Sequence, residues 1–157
     1  MAQALTIRPA QPHDVDAIAA LLTALNRAEG QDVIATPHAI AQALFADNRE
    51  VKVEALVAQH EGAIVGTLIY YVGYDTFSAS LGFHLADMVV AHTHRRQGVG
   101  RALVRALGRI TLAQGKAWIS LTVLKQNASA QAFYRSLGMT QVHVDFFAMG
   151  KQAISQL

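Results

Sequence analysis

Two arginines and two glycines fall within six residues in the run Arg95-Arg96-Gln97-Gly98-Val99-Gly100. Before it stands an apolar stretch ending Met88-Val89-Val90, which reads as a buried strand. After it, Leu103, Leu107, Ile110 and Leu112 fall at the spacing of a helix. A turn from strand to helix with this composition can hold phosphate. The first N–H groups of a helix have no internal partner. The helix dipole adds positive potential there, and glycine lets a ligand approach the backbone with no Cβ in the way. Together these suit phosphate or diphosphate. An isolated Gly-x-Gly is more often the mark of an ordinary turn that needs glycine for its backbone angles. Two rival phosphate motifs can be tested directly. A dinucleotide fingerprint wants a third glycine where Leu103 stands, and a Walker loop wants a Gly-Lys-Ser/Thr that does not occur.

Downstream lies a second informative run, Asn127-Ala128-Ser129-Ala130-Gln131-Ala132-Phe133-Tyr134-Arg135-Ser136-Leu137-Gly138-Met139. A tyrosine has a reference pKa of about 10, so at neutral pH it carries a proton that it can give to a departing thiolate. Taken alone, Tyr134 would be a helix tyrosine packing its ring in a core.

The two runs together resemble the GNAT (GCN5-related N-acetyltransferase) family. Residues 95–100 match its Arg/Gln-x-x-Gly-x-Gly/Ala signature. Residues 127–139 resemble its Asn-x-x-Ala-x-x-Phe-Tyr-x-x-x-Gly-Phe segment, with Met139 at the usual aromatic or alanine. The resemblance implies that acetyl-CoA is the co-substrate and that an amine is the acceptor. It implies that the turn, Arg95, Arg96, Gln97, Gly98, Val99, Gly100 and Arg101, lines the diphosphate. Met88, Val89 and Val90 would offer main-chain groups to the pantetheine arm as an added strand does. Tyr134 would be the acid that protonates the thiolate. Asn127 would serve the pantetheine or the loop, with Ala130 beside the coenzyme. The reaction would be direct attack through a tetrahedral intermediate whose oxyanion meets a backbone N–H near Met88 or Val89. A homodimer is implied by the family's habits, and no metal is required.

Within the family the likeness is to diamine and thialysine acetyltransferases. Tyr70-Tyr71-Val72-Gly73-Tyr74-Asp75-Thr76-Phe77 and Leu85-Ala86-Asp87-Met88-Val89-Val90 resemble segments of theirs, and Glu29 falls where they carry an acidic residue. Glu29, Tyr74, Asp75 and Asp87 are therefore candidates to hold a cationic amine, against a plain reading as solvated surface or structural hydrogen bonds. One position departs: Ala86 stands where those enzymes place a glutamate, their proposed base. An ammonium must lose a proton before it attacks. With regular alternation along the strand, His84 points the same way as Ala86, and histidine titrates near neutrality. His84 is the candidate base, its alternative being a structural histidine.

The elements that would position these residues can be read from periodicity and punctuation. Residues 5–8 read as a strand. A helix opens at Pro12-His13-Asp14, carries Val15, Ile18, Ala19, Leu22 and Leu25, and stops at Gly30. Thr36-Pro37 is a cap followed by proline at the first helical position, opening a short helix over 38–45. Strands follow over 55–59 and 64–74 as a hairpin, then over 81–90. After the helix at 98–114 come a strand over 118–123, a helix over 129–137 closed by Gly138, and strand over 142–149. The order predicts an α/β (α+β) domain with a mixed, mainly antiparallel sheet, helices on both faces and one parallel strand–helix–strand crossover. The coenzyme cleft is expected where the strand ending at Val90 splays from the strand over 118–123.

Composition sets the outer bounds. The chain has 157 residues, 52% of them hydrophobic and 15% charged, with net charge +2. One folded domain is expected, and disorder is not. Without cysteine there is neither disulfide nor thiolate nucleophile. No apolar run of signal-peptide or membrane-span length occurs, so the expected compartment is the cytoplasm, with no membrane partner. Arg95, Arg96, Arg101, Arg105 and Arg109 form one local cluster, which favours a small polyanionic ligand over nucleic acid. His92 and His94 have no third ligand, so no metal is expected.

Overall fold

The computed structural model describes residues 4–32 and 36–157, so part of the N-terminal stretch read above lies outside the described residues. Those residues form two compact units, Met1–Thr122 and Val123–Leu157.

In the first unit a five-stranded sheet has the order β1-β2-β3-β4-β5, made of Thr6–Pro9, Val53–His60, Ala63–Asp75, Ser80–Val90 and Ile119–Leu121. The first four pair antiparallel, and β4 with β5 is parallel. Helices α1 (Val15–Ala28) and α2 (Pro37–Phe45) cover one face, where Ile18, Leu22, Ile40 and Leu44 pack with Ala55, Val57, Ile69 and Val89. Helix α3 (Val99–Ala113) covers the other, with Val99 and Leu103 against Gly66. Leu103 and Leu107 are fully buried there, as are Leu56, Leu68 and Phe83. Burial of each leucine stabilises the fold by roughly 2 kcal/mol. The expected architecture is borne out: a mixed, mainly antiparallel sheet with helices on both faces.

Local chemistry explains the element ends. Thr36 Oγ1 accepts the Ala39 N–H at 3.1 Å with Pro37 at the first helical position. Asp14, almost wholly buried, joins β1 to the start of α1. Its carboxylate accepts Arg8 Nη1 at 2.7 Å and Nη2 at 2.9 Å, and the Gln11 amide at 2.8 Å.

Trp118, just before β5, lies across Gly73 and Gly82, which are partners on β3 and β4. A Cβ on Gly82 would stand 2.0 Å from Trp118 Cδ2. The indole Nε1 is buried with no hydrogen-bond partner among the described residues, so the ring is held by packing alone. Gly82→Ala should therefore displace the indole and cost about 1–3 kcal/mol, as overpacking does. Trp118 is the chain's one tryptophan, so its emission and the thermal midpoint report the change together. An unaltered spectrum and midpoint would contradict this packing.

The second unit holds α4 (Ala128–Ser136) and a short α5 (Lys151–Ile154). Gly138, at φ 86°, closes α4 as expected, its N–H bonding the Arg135 carbonyl. The closing strand over 142–149 is a correction: these residues form no strand. The alternation of Val142, Val144 and Phe146 has the period of a half-buried strand. A strand exists only when its main chain pairs, and no ladder forms there. Phe146 and Phe147 are 82% and 90% exposed.

Candidate active site

β4 pairs with β5 over Phe83, His84 and Leu85, opposite Ile119, Ser120 and Leu121, after the Ala117 N–H has bonded the Leu81 carbonyl and the Phe83 N–H the Trp118 carbonyl. It then runs on to Val90 with no neighbouring strand on that side among the described residues. The fork between the two strands thus opens at Ala86. The Ala91 N–H bonds the Val65 carbonyl across β3. By antiparallel alternation, Val89 turns its main-chain groups toward β3, while Met88 and Val90 turn theirs outward along the open edge. Arg95 Nε, donating to the Val90 carbonyl at 3.2 Å, meets that outward edge at its end.

The same edge leads on to the turn before α3. Arg96 and Gly98 both have left-handed backbones, at φ 64° and 84°. A non-glycine residue held there stores strain of order 1 kcal/mol, which persists where the surroundings impose it. Gln97 Nε2 laces the turn by donating to the Thr93 carbonyl at 2.9 Å. The first α3 hydrogen bond is Ala102 N–H to Gly98 O at 2.9 Å, so the amides of Val99 and Gly100 come before the helical ladder. Beyond its immediate chain neighbours, no atom of the described residues lies within 4 Å of the point where a Gly98 Cβ would stand. Gly98 also ends a shallow groove of about 440 Å³ between β1 and α3, with Arg101, Arg105 and Arg109 along one wall and Leu5 and Ile7 on the other.

His84 and Asp87 share the α1/α2 face, but not by simple alternation. Tyr70 pairs with Leu85 and Ile69 with Asp87, so Ala86 is an extra residue, a β-bulge. The alternation that placed Ala86 beside His84 is therefore broken at Ala86. The carboxyl that returns to the His84 face is that of Asp87, opposite Ile69. The Asp87 carboxyl is half-buried, without a hydrogen bond or ion pair among the described residues, and burial pushes its pKa up. The His84 ring packs on Tyr71, centroids 5.2 Å apart, and its Nδ1 lies 3.0 Å from Ser120 Oγ on β5.

The other predicted residues are placed differently. Asp75 accepts the Phe77 and Ser78 amides and the Ser78 hydroxyl, which hold its pKa below the ordinary carboxylate range, the hydroxyl bond foremost. It closes the β3–β4 turn. Tyr74 is 62% exposed and, by register, on the face opposite His84. Glu29 is exposed at the C-terminus of α1. In the second unit Asn127 Oδ1 caps α4 by accepting the Ala130 N–H at 3.1 Å, and Tyr134 packs edge-on against Phe133. Ser120 was missed by sequence reasoning. Its one signal is the strand parity that sets it opposite His84, which needs the β4–β5 register to be known.

A profile of the acetyltransferase (GNAT) family matches residues 18–139, and the chain belongs to that family. It is 31% identical over 75 residues to a thialysine N-epsilon-acetyltransferase of Bos taurus, covering 48% of this chain and 44% of that enzyme. It is 27% identical over 75 residues to an L-ornithine N5-acetyltransferase of Arabidopsis thaliana, covering 48% of this chain and 33% of that one. The matches thus span less than half of these relatives. Among solved structures, an aminoglycoside acetyltransferase from an uncultured soil metagenomic sample superposes with a TM-score of 0.76 at 23% identity, covering 94% of this chain and 97% of that one. Among the described residues, no group of three or more His, Cys, Asp or Glu is placed to hold a metal, and no helix is long and apolar enough to cross a membrane.

Proposed function

We propose that this chain is an N-acetyltransferase, a single catalytic domain that moves the acetyl group of acetyl-CoA to the primary amine of a small diamine- or polyamine-like molecule. The observation that carries the reading is the open outer edge of β4, running from the fork at Ala86 straight into the left-handed turn before α3. An extended amide-bearing arm fits that edge, and a diphosphate fits the turn. Bound acetyl-CoA supplies an acyl group activated as a thioester.

The chain's own residues supply the rest. Met88 and Val90 bind the pantetheine amides through their outward main-chain groups. The amides of residues 96–101, with Arg95 and Arg101 nearby, hold the diphosphate. Asp87 attracts the acceptor's ammonium, because a half-buried carboxyl without a partner gains most from a cation. His84 takes the proton that frees the amine's lone pair. A main-chain N–H at Met88 stabilises the oxyanion of the tetrahedral intermediate, and Tyr134 returns a proton to the thiolate. The relatives named above act on thialysine and ornithine, both amine-bearing amino acids, which supports an acceptor of this kind. A cytoplasmic homodimer completes the proposal.

Free-thiol release from acetyl-CoA, measured with a panel of diamines, polyamines and lysine-like amino acids, tests it. Amine-dependent release is expected. Tight coenzyme binding with no amine stimulation would instead favour a coenzyme-binding sensor, the reading that Ala86 in place of the family's glutamate favours. Tyr134→Phe should lower kcat about 100-fold with little change in the KM for acetyl-CoA, as loss of one general acid does. An unchanged kcat would remove Tyr134 from the mechanism.

A further inference from the structure

His84 Nδ1 and Ser120 Oγ face each other at 3.0 Å on the paired rung next to the end of the β4–β5 ladder, beside the fork. Both belong to strands, so their separation is set by the sheet and not by a loop. The Tyr71 ring, 5.2 Å away, limits rotation of the imidazole from the β3 side. A neutral imidazole has one N–H and one bare nitrogen, and the hydrogen bond at one decides which is free at the other. If the serine hydroxyl donated to Nδ1, taking up a proton there would break that bond. If Nδ1–H donates to Oγ, the bond survives when the ring becomes imidazolium. Only the second arrangement leaves a nitrogen, Nε2, that can accept a proton at no loss.

We propose that Ser120 is a positioning residue that holds His84 as the Nδ1–H tautomer, so that Nε2 is the atom that takes the acceptor's proton. This deepens the acetyltransferase reading and rests on it for the identity of the proton donor. The step balances simply. An N–H bond of the substrate ammonium breaks and its electron pair stays on nitrogen to attack the thioester. The proton forms a new bond to Nε2, and the resulting imidazolium later releases it to water. Tyr71, from β3, packs on the ring, and by register Asp87 lies on the same face of β4.

The test has two arms. Nitrogen NMR of the full chain, with His84 assigned by His84→Gln, reads the tautomer of the neutral ring without any substrate. Wild type should show a protonated Nδ1 and a bare Nε2, Ser120→Ala should lose that bias, and Ser120→Thr, which keeps the hydroxyl, should restore it. A bare Nδ1 in wild type, or a bias that survives Ser120→Ala, overturns the proposal. In the kinetic arm, Ser120→Ala should lower kcat about 5- to 10-fold, the scale of one neutral hydrogen bond, with the KM for acetyl-CoA unchanged and Thr restoring the rate. An unchanged kcat overturns the positioning role. A wild-type chain with the predicted tautomer but no amine-stimulated thiol release would sink the transferase reading and leave the hydrogen-bond assignment standing.

Discussion

Gly98→Val is expected to weaken coenzyme A binding by about 100-fold, read as Kd by titration calorimetry, with the fold retained. Gly98 has a φ of 84° at the N-cap of α3. A residue with Cβ adopts this region at a cost of about 1–2 kcal/mol, and a β-branched one does so less readily still. Its Cβ would not crowd the protein, since beyond the immediate chain neighbours nothing among the described residues lies within 4 Å of that point. It would occupy the space a diphosphate needs to reach the amides of Val99 and Gly100. The strained turn relaxes away from the binding conformation in the free chain, and with the lost anion contacts this comes to about 3 kcal/mol, every 1.4 kcal/mol being tenfold in Kd. Gly98→Ala, without β-branching, should lose about 10-fold. Retained affinity in both variants would mean that the turn does not hold the coenzyme.

Asp14→Ala is expected to cost about 2–3 kcal/mol of stability at neutral pH, less than the loss of one partner from a fully buried ion pair because the Arg8 side chain is partly exposed. The carboxylate is bonded by two guanidinium nitrogens of Arg8 and by the Gln11 amide. Its removal leaves Arg8, itself partly buried, without its counter-charge. For a chain of this length the thermal midpoint should fall by about 10 °C. The pH dependence has a definite sign. The Arg8 hydrogen bond foremost, helped by the Gln11 amide, holds the Asp14 pKa below its ordinary value. The stabilisation is therefore complete above the unfolded pKa of about 4 and is lost as pH falls through the lower folded value. Melts of the wild type and the variant should differ most at pH 6–8 and converge under strong acid. A gap that stays constant through that range would show that the carboxylate's charge is not what stabilises the joint.

Most of the framework was legible because its signals are short-range. Gly30 ends α1, Thr36 caps α2 and Gly138 closes α4, each through bonds within a few residues. Long apolar strands such as β3 carry their pattern plainly. The expected strand over 142–149 failed for the opposite reason: its alternation was real, but pairing depends on a neighbour that local pattern does not specify. Asp75 and Asn127 were legible as polar residues near motifs. Their hydrogen bonds to the β3–β4 turn and to the α4 amide are local as well, of the kind that Asp in turns and Asn at helix N-termini form.

By itself, then, the amino-acid order determined the strand–turn–helix with its arginines and glycines, the capped helices and the family. All of these are matters of chemistry within a dozen residues. Only the tertiary structure decided which side chains meet at the fork. One extra residue at Ala86 breaks the alternation, puts Asp87 on the His84 face and turns Met88 and Val90 outward. The parallel register of β5 brings Ser120, 36 residues away in the chain, against the His84 ring. Bulges and registers arise from pairing between distant strands, and a one-residue slip reverses the face of every side chain beyond it. Local pattern carries no record of that choice.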